Sequence, residues 1–134
     1  MKNNRRDFII KAGLGAVAAL PLAAVAKAPE SKERFVHHVY FYLKEDNAAN
    51  RAKLTEGLLK LSKVPTIKLF HIGEAAPTTR DVIVRDYSLS WLCFFENLEE
   101  EEIYQKHPIH LKFIADYGYL WSKVNVYDSI GPKR

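Results

Sequence analysis

Six periodic segments follow one another along this chain, and their order limits the folds that it can adopt. Four are rich in β-branched and aromatic residues, which is typical of strands, and two are typical of helices. We predict strands over 35–44, 66–72, 87–95 and 119–128, and helices over 47–63 and 97–116. The order β-α-β-β-α-β predicts an α+β, ferredoxin-like fold, in which a four-stranded antiparallel sheet carries both helices on one face.

The first strand has large side chains on both of its faces. Alternation places Phe35, Val39, Phe41 and Leu43 on one face, and His38, Tyr40 and Tyr42 on the other. Helices on one side leave the second face open, and an exposed aromatic surface is unusual for a monomer. We therefore expect two copies to pair their sheets as a homodimer, forming a dimeric α/β barrel.

The first 26 residues carry the pattern of a twin-arginine signal peptide. Arg5 and Arg6 precede an apolar stretch that is too short to span a bilayer comfortably and that ends in the small-x-small site Ala24-Val25-Ala26. A second such site ends at Ala28, and a retained N-terminal anchor is the alternative interpretation. The pattern predicts export to the periplasm or medium, without stable membrane association after cleavage.

Removing residues 1–26 changes the interpretation of charge. The whole chain has a net charge of +4, and residues 1–26 hold four basic side chains against one acidic side chain, so about +1 remains. The charge therefore gives no reason to expect a nucleic-acid partner. The single cysteine, Cys93, has no internal disulfide partner and is expected to be a buried thiol.

The remaining chain is long enough for one domain. We predict a tether over 27–33, the folded domain over 34–129 and a polar tail over 130–134.

A short motif, Tyr104-Gln105-Lys106-His107-Pro108-Ile109-His110, gives the chain a family resemblance. With His38-Val39, Gly73 and Tyr127-Asp128, it resembles the stress-responsive dimeric α/β-barrel (Dabb) family, and within it the olivetolic acid cyclase-like proteins. The resemblance implies a catalytic base at His110, a tyrosine partner at Tyr104 and a pocket histidine at His38. A further pocket histidine of the cyclases falls on Leu89, so the same substrate is not expected.

The chemistry of these residues suits proton transfer. A neutral imidazole accepts protons near neutral pH, and a tyrosine hydroxyl can donate to a developing enolate oxygen. We therefore expect His110 and Tyr104 to abstract a proton next to a carbonyl of a small organic ligand, as in a lyase, cyclase or isomerase. His107 is expected to be structural, capping the helix that restarts at Pro108.

Other residues are expected to line a ligand pocket in the barrel, and these are His38, Tyr40, His71, Leu89 and Trp91. We expect no metal and no cofactor, because no convergent set of ligands is evident in the sequence. The acidic run Glu99–Glu102 is expected to be a solvated helix start. The alternative function is a non-catalytic binding or stress-response oligomer, in which the same histidines hold the helix to the sheet.

Overall fold

The computed structural model describes residues 32–134. The predicted signal peptide and residues 27–31 of the predicted tether lie outside the described residues. Within the described part, no helix has both the length and the apolar character that crossing a membrane requires.

Four strands and three α-helices make up the described domain. The elements are β1 (Glu33–Leu43), α1 (Ala48–Leu61), β2 (Leu69–Gly73), β3 (Leu89–Phe95), α2 (Leu98–Lys106), α3 (Pro108–Tyr117) and β4 (Trp121–Pro132). The strands form one sheet in the order β2-β3-β1-β4, and every neighbouring pair is antiparallel. The predicted ferredoxin-like fold is therefore confirmed, with β1 as a central strand.

The two faces of β1 differ as its sequence predicts. Phe35, Val39, Phe41 and Leu43 are buried on the face beneath the helices, and His37 is buried among them. Leu54, Leu58 and Leu61 of α1 and Phe113 of α3 pack into this core, to which β3 and α2 also contribute. Cys93 is also fully buried, as expected, and burial raises the pKa of its thiol, so it stays protonated.

Side-chain caps determine where the helices begin. Asn47 Oδ1 accepts the amide N–H of Asn50 at 2.8 Å, and Asn97 Oδ1 accepts that of Glu100 at 2.9 Å. The break that the sequence predicts at Pro108 divides the second helical segment into α2 and α3, because Pro108 lacks the N–H that a continuous helix would require.

The C-terminal strand is longer than predicted. Ile130, Gly131 and Pro132 pair with Phe35, Arg34 and Glu33, so part of the predicted tail is strand. Gly131 and Pro132 suggest that the strand ends before them. An edge strand tolerates proline, however, because one of its sides forms no hydrogen bonds with a neighbouring strand.

A close contact between α1 and α3 gives a first testable expectation. A Cβ added at Gly57 would lie 2.7 Å from Cγ of the Tyr117 ring. Gly57→Ala should therefore lower the free energy of unfolding by about 1–2 kcal/mol, because overpacking outweighs the gain in helix propensity. Chemical denaturation measures this change. Gly118→Ala is the control, since its Cβ would meet Trp121 at an ordinary 3.7 Å; equal stabilities of the two variants would contradict the expectation.

Candidate functional site

Tyr104 is the buried centre of the candidate site. It lies on α2, is 1% exposed, and contacts the rings of Phe95, His110 and His37, with centroid distances of 5.0, 4.7 and 5.6 Å. Its hydroxyl oxygen accepts the indole N–H of Trp91 at 3.1 Å. Burial raises the pKa of Tyr104, so the hydroxyl remains protonated and can donate its own hydrogen to a ligand.

The break between α2 and α3 positions two histidines differently. His107 precedes Pro108, and its Nδ1 accepts the amide N–H of Ile109 at 3.1 Å, so it caps α3. The structural interpretation of His107 is therefore confirmed. His110 follows one turn later and turns back towards Tyr104.

His110 has the protonation state of a base. Its Nδ1 lies 3.0 Å from the carbonyl oxygen of Gln105, and because a carbonyl only accepts, Nδ1 carries the proton and Nε2 the lone pair. Burial is the largest influence on the pKa of His110 and lowers it below its usual value; nearby His37 lowers it further, while the Gln105 hydrogen bond opposes the shift. His110 is therefore neutral near pH 7.

The sheet contributes a hydrogen-bonded pair, His37 and Asp128, to the site. His37 on β1 is 4% exposed, and its Nδ1 lies 2.7 Å from Oδ1 of Asp128 on the neighbouring β4. Neither residue has an assigned role in the sequence prediction. One local signal points to His37, because it falls between Phe35 and Val39 on the face that alternation predicts to be buried.

These side chains border a cavity of about 340 Å³ between the sheet and helices α2 and α3. Its polar lining comes from His37, Tyr104, Gln105, His110 and Asp128. Its apolar lining comes from Val39, Phe41, Leu61, Trp91, Phe113, Ile114, Trp121, Val124 and Val126. The volume is at the lower end for ligand pockets, so the cavity suits a small organic molecule.

The cavity opens between α3 and the edge strand. Three of its lining residues, Ile114, Val124 and Val126, are 45%, 38% and 47% exposed. A ligand can therefore enter at this edge, beside the polar groups of the site.

The structure brings only part of the predicted pocket to this cavity. His110, Tyr104 and Trp91 line it together, whereas Leu89 is buried on the same face of the sheet without lining it. His38 and Tyr40 lie on the opposite face of the sheet.

His71 shares that opposite face, since it is paired with Leu92, which in turn is paired with His38. The prediction of one pocket containing all these residues needs correction. Directly paired residues on neighbouring strands share a face of the sheet. Trp91 is paired with Val39, on the face beneath the helices, whereas Tyr40 is the next residue along β1 and points to the other face. The sheet therefore separates Trp91 from His38, Tyr40 and His71.

The open face instead carries an aromatic cluster. Tyr40 packs against His38, Tyr87 and Tyr127, with ring centroids 4.3, 4.8 and 5.8 Å apart. Tyr127 is 63% exposed. This is the surface that the sequence predicts to be covered by a second copy.

A larger hollow lies on the outer side of α1 and α3. Its described lining includes Arg51, Lys60, Lys112 and Asp116, and it contains none of the predicted site residues. Its larger size does not make it the candidate site, because none of the residues singled out by the sequence is among the described residues that line it.

Comparison with family models identifies the domain. Residues 35–130 match the Stress responsive A/B Barrel Domain, Dabb. The chain belongs to this family. Comparison with curated protein sequences finds no match.

Solved structures similar to this Dabb domain agree on its fold. A Dabb family protein with a ferredoxin-like fold from Mesorhizobium loti is 22% identical, with a TM-score of 0.60, covering 72% of this chain and 95% of its own. Hydroxynitrile lyase from Passiflora edulis is 16% identical, with a TM-score of 0.64, and the match covers 78% of this chain and 98% of the lyase chain. A dimeric ferredoxin-like protein of unknown function from Thermobifida fusca is 14% identical, with a TM-score of 0.60, and the match covers 77% of this chain and 95% of that protein's chain.

Proposed function

We propose that this Dabb protein binds a small organic molecule in the cavity between its helices and sheet and catalyses cofactor-independent proton transfer on it. The observation that carries the proposal is the cavity bordered by both His110 and Tyr104. Nε2 of His110 keeps its lone pair, because Nδ1 makes the hydrogen bond to the Gln105 carbonyl. The hydroxyl hydrogen of Tyr104 is available, because Tyr104 accepts and does not donate in its hydrogen bond with Trp91. In this proposal the pocket lies within a single chain, between its helices and sheet, whereas the sequence predicts a pocket in the interior of the dimeric barrel.

The mechanism follows from these two groups. Nε2 of His110 removes a proton from a carbon next to the ligand carbonyl, and the electron pair moves onto the carbonyl oxygen to form an enolate. Tyr104 donates a hydrogen bond to that oxygen, which stabilises the charge as it develops. In an isomerase, His110 returns the proton to a carbon of the enolate. In a cyclase, the enolate carbon attacks a second carbonyl of the ligand, and His110 returns the proton to the alkoxide that forms. In a lyase acting on a cyanohydrin, His110 instead removes the hydroxyl proton, the C–CN bond breaks as the carbonyl forms, and the departing cyanide takes the proton.

The ligand is expected to be compact and largely apolar, with one carbonyl or hydroxyl group. Aromatic and aliphatic side chains form most of the lining, and the polar groups are confined to one end. The shared fold with a hydroxynitrile lyase adds cyanohydrins to the ligands worth testing, whereas the olivetolic acid cyclase-like resemblance adds polyketides. The substitution of leucine at position 89 and the proposed export both disfavour a polyketide.

Proton exchange gives a direct test of this function. The protein is incubated in D₂O with acetophenone and other small ketones, and the loss of the hydrogens next to the carbonyl is followed by NMR. Cleavage of benzaldehyde cyanohydrin is followed in parallel through aldehyde absorbance. We expect exchange or cleavage above the buffer rate; buffer rates with the whole panel would reject the catalytic proposal.

The protonation of His110 gives a separate expectation. Because its folded-state pKa is lowered, its NMR titration midpoint should lie below about pH 6.5. In the unfolded chain the same group binds a proton at the higher pH, so the free energy of unfolding should fall as pH drops below about 6.5. His110→Gln should make the free energy of unfolding depend less steeply on pH in this range. Part of the dependence should remain, because burial also lowers the pKa of His38. A midpoint above 6.5 would contradict the buried, neutral state.

The alternative is a non-catalytic binding module. It is favoured by the hydrogen bond of His110 to the Gln105 carbonyl, which also suits a structural histidine that joins α2 to α3. Mass spectrometry of small molecules that copurify with the protein separates the two functions. A retained molecule that is bound but never exchanged or cleaved would support the binding module.

We also propose that the protein is a homodimer and that it is exported. The aromatic cluster on the open sheet face supports the dimer, as do similar structures that are described as dimeric. The twin-arginine pattern at Arg5-Arg6 supports export to the periplasm or medium.

A further inference from the structure

Glu101 is a buried carboxylate that the proposed proton transfer does not use. It lies on α2 and is 6% exposed, so the prediction that the whole run Glu99–Glu102 is solvated is wrong at this position. Its side-chain partner is the neutral amide of Gln105, whose Nε2 donates to Oε1 at 2.6 Å. Among residues 32–134, no cationic side chain forms a salt bridge with it. Burying a carboxylate without a nearby cation costs folding free energy, so a bound cation would stabilise the protein at this position.

Two more ligand groups converge on the same point. One ligand atom from each of His37, Glu101 and Asp128 lies within 4.8 Å of the others. These residues come from β1, α2 and β4, so the convergence is a product of tertiary packing. Two carboxylates facing one imidazole leave a net negative charge even when the imidazole is protonated, whereas a divalent cation would neutralise both.

We propose that His37, Glu101 and Asp128 bind one divalent transition-metal ion of the Zn²⁺ type. One imidazole nitrogen with two carboxylate oxygens is a ligand set that suits Zn²⁺ or Mn²⁺, whereas Mg²⁺ and Ca²⁺ favour oxygen ligands alone. Metal–ligand distances of about 2.0–2.2 Å place ligand atoms about 3.0–3.6 Å apart. The ligand atoms lie within 4.8 Å of one another, and His37 and Asp128 are already joined by a 2.7 Å hydrogen bond. Metal binding therefore requires the Glu101 side to move closer and the ion to replace the His37–Asp128 hydrogen bond.

The surroundings of the site fit this use. The Gln105 amide holds the Glu101 carboxylate in place, as groups behind metal ligands commonly do. Three protein ligands leave a coordination position open, and two of them, His37 and Asp128, line the cavity. A ligand carbonyl or hydroxyl in the cavity could therefore reach the ion as a further ligand, although the proposed proton transfer does not require it. Metal binding does not depend on the proposed proton transfer, and each can fail alone.

The test uses Zn²⁺ alone on the purified protein after it is stripped with a chelator. Calorimetry should detect one ion per chain, and Zn²⁺ should raise the melting temperature. Glu101→Gln should weaken Zn²⁺ binding at least about tenfold and abolish the melting shift. Glutamine keeps the shape of the side chain and removes its buried charge, so the variant is expected to fold.

Two control variants complete the test. Glu102→Gln removes the same charge from the next, exposed position of α2 and should leave Zn²⁺ affinity unchanged. His110→Gln should also retain the ion, which separates this proposal from the catalytic one. A stripped protein that binds no Zn²⁺, or equal losses in Glu101→Gln and Glu102→Gln, would overturn the metal site.

Discussion

Replacing His110 by glutamine is expected to lower the rate of ligand proton exchange by about 100- to 10,000-fold, which is the usual contribution of a general base. Glutamine preserves a polar side chain but has no basic nitrogen. Its loss of rate should appear in kcat, because the imidazole acts on the reacting bond and not on binding alone. Initial rates of deuterium incorporation measure the change.

Tyr104→Phe should lower the same rate by about 100- to 1,000-fold, because it removes the proton donated to the developing oxyanion. Phenylalanine keeps the ring between Phe95 and His110, so the packing of the site is retained. The variant leaves the indole N–H of Trp91 without its partner, at a cost of about 1–3 kcal/mol of stability.

His107→Gln is the matched control for both variants. This histidine is three residues from His110, but its side chain caps α3, so its loss should cost about 1 kcal/mol of stability with little change in rate. Wild-type rates in His110→Gln and Tyr104→Phe would refute the catalytic role. Equal losses in all three variants would indicate that only helix packing matters.

Tyr127→Glu is expected to convert the protein from a dimer to a monomer. Tyr127 is 63% exposed in the single chain, so glutamate is tolerated there when the chain is alone. In the proposed dimer the same position is covered by the partner's sheet, where an unpaired carboxylate is costly. Light scattering at micromolar concentration should report twice the chain mass for the wild type and one chain mass for the variant.

Ile103→Glu provides the control for the dimer. Ile103 is 53% exposed but lies on α2, away from the open sheet face, so this variant should stay dimeric. A wild-type monomer would disprove the dimer. Dissociation of Ile103→Glu as well would assign the interface to another surface.

Residues whose roles depend on near neighbours could be predicted from the sequence. His107 caps the helix that begins at Pro108, as predicted, and Asn47 and Asn97, the first positions of the two predicted helices, cap the helices that follow them. Tyr104 and His110 also meet, because only five residues and a helix break separate them. Each of these interactions spans a few residues, so local geometry specifies it.

Contacts across the sheet could not be predicted in the same way. His37 pairs with Asp128, 91 residues later, and only the register of β1 against β4 brings them together. A shift of one residue would move either side chain to the other face. The predicted pocket was divided for the same reason, since His38 and Trp91 lie on opposite faces once β1 is paired with β3.

The sequence by itself determined the order of strands and helices, the helix caps and the buried face of β1, because periodicity and capping act over short distances. Tertiary structure decided which side chains share the cavity and that Glu101 is buried near His37 and Asp128. Those contacts depend on strand register and on how α2 packs over the sheet. Both are set by the free energy of the whole core and not by any one segment.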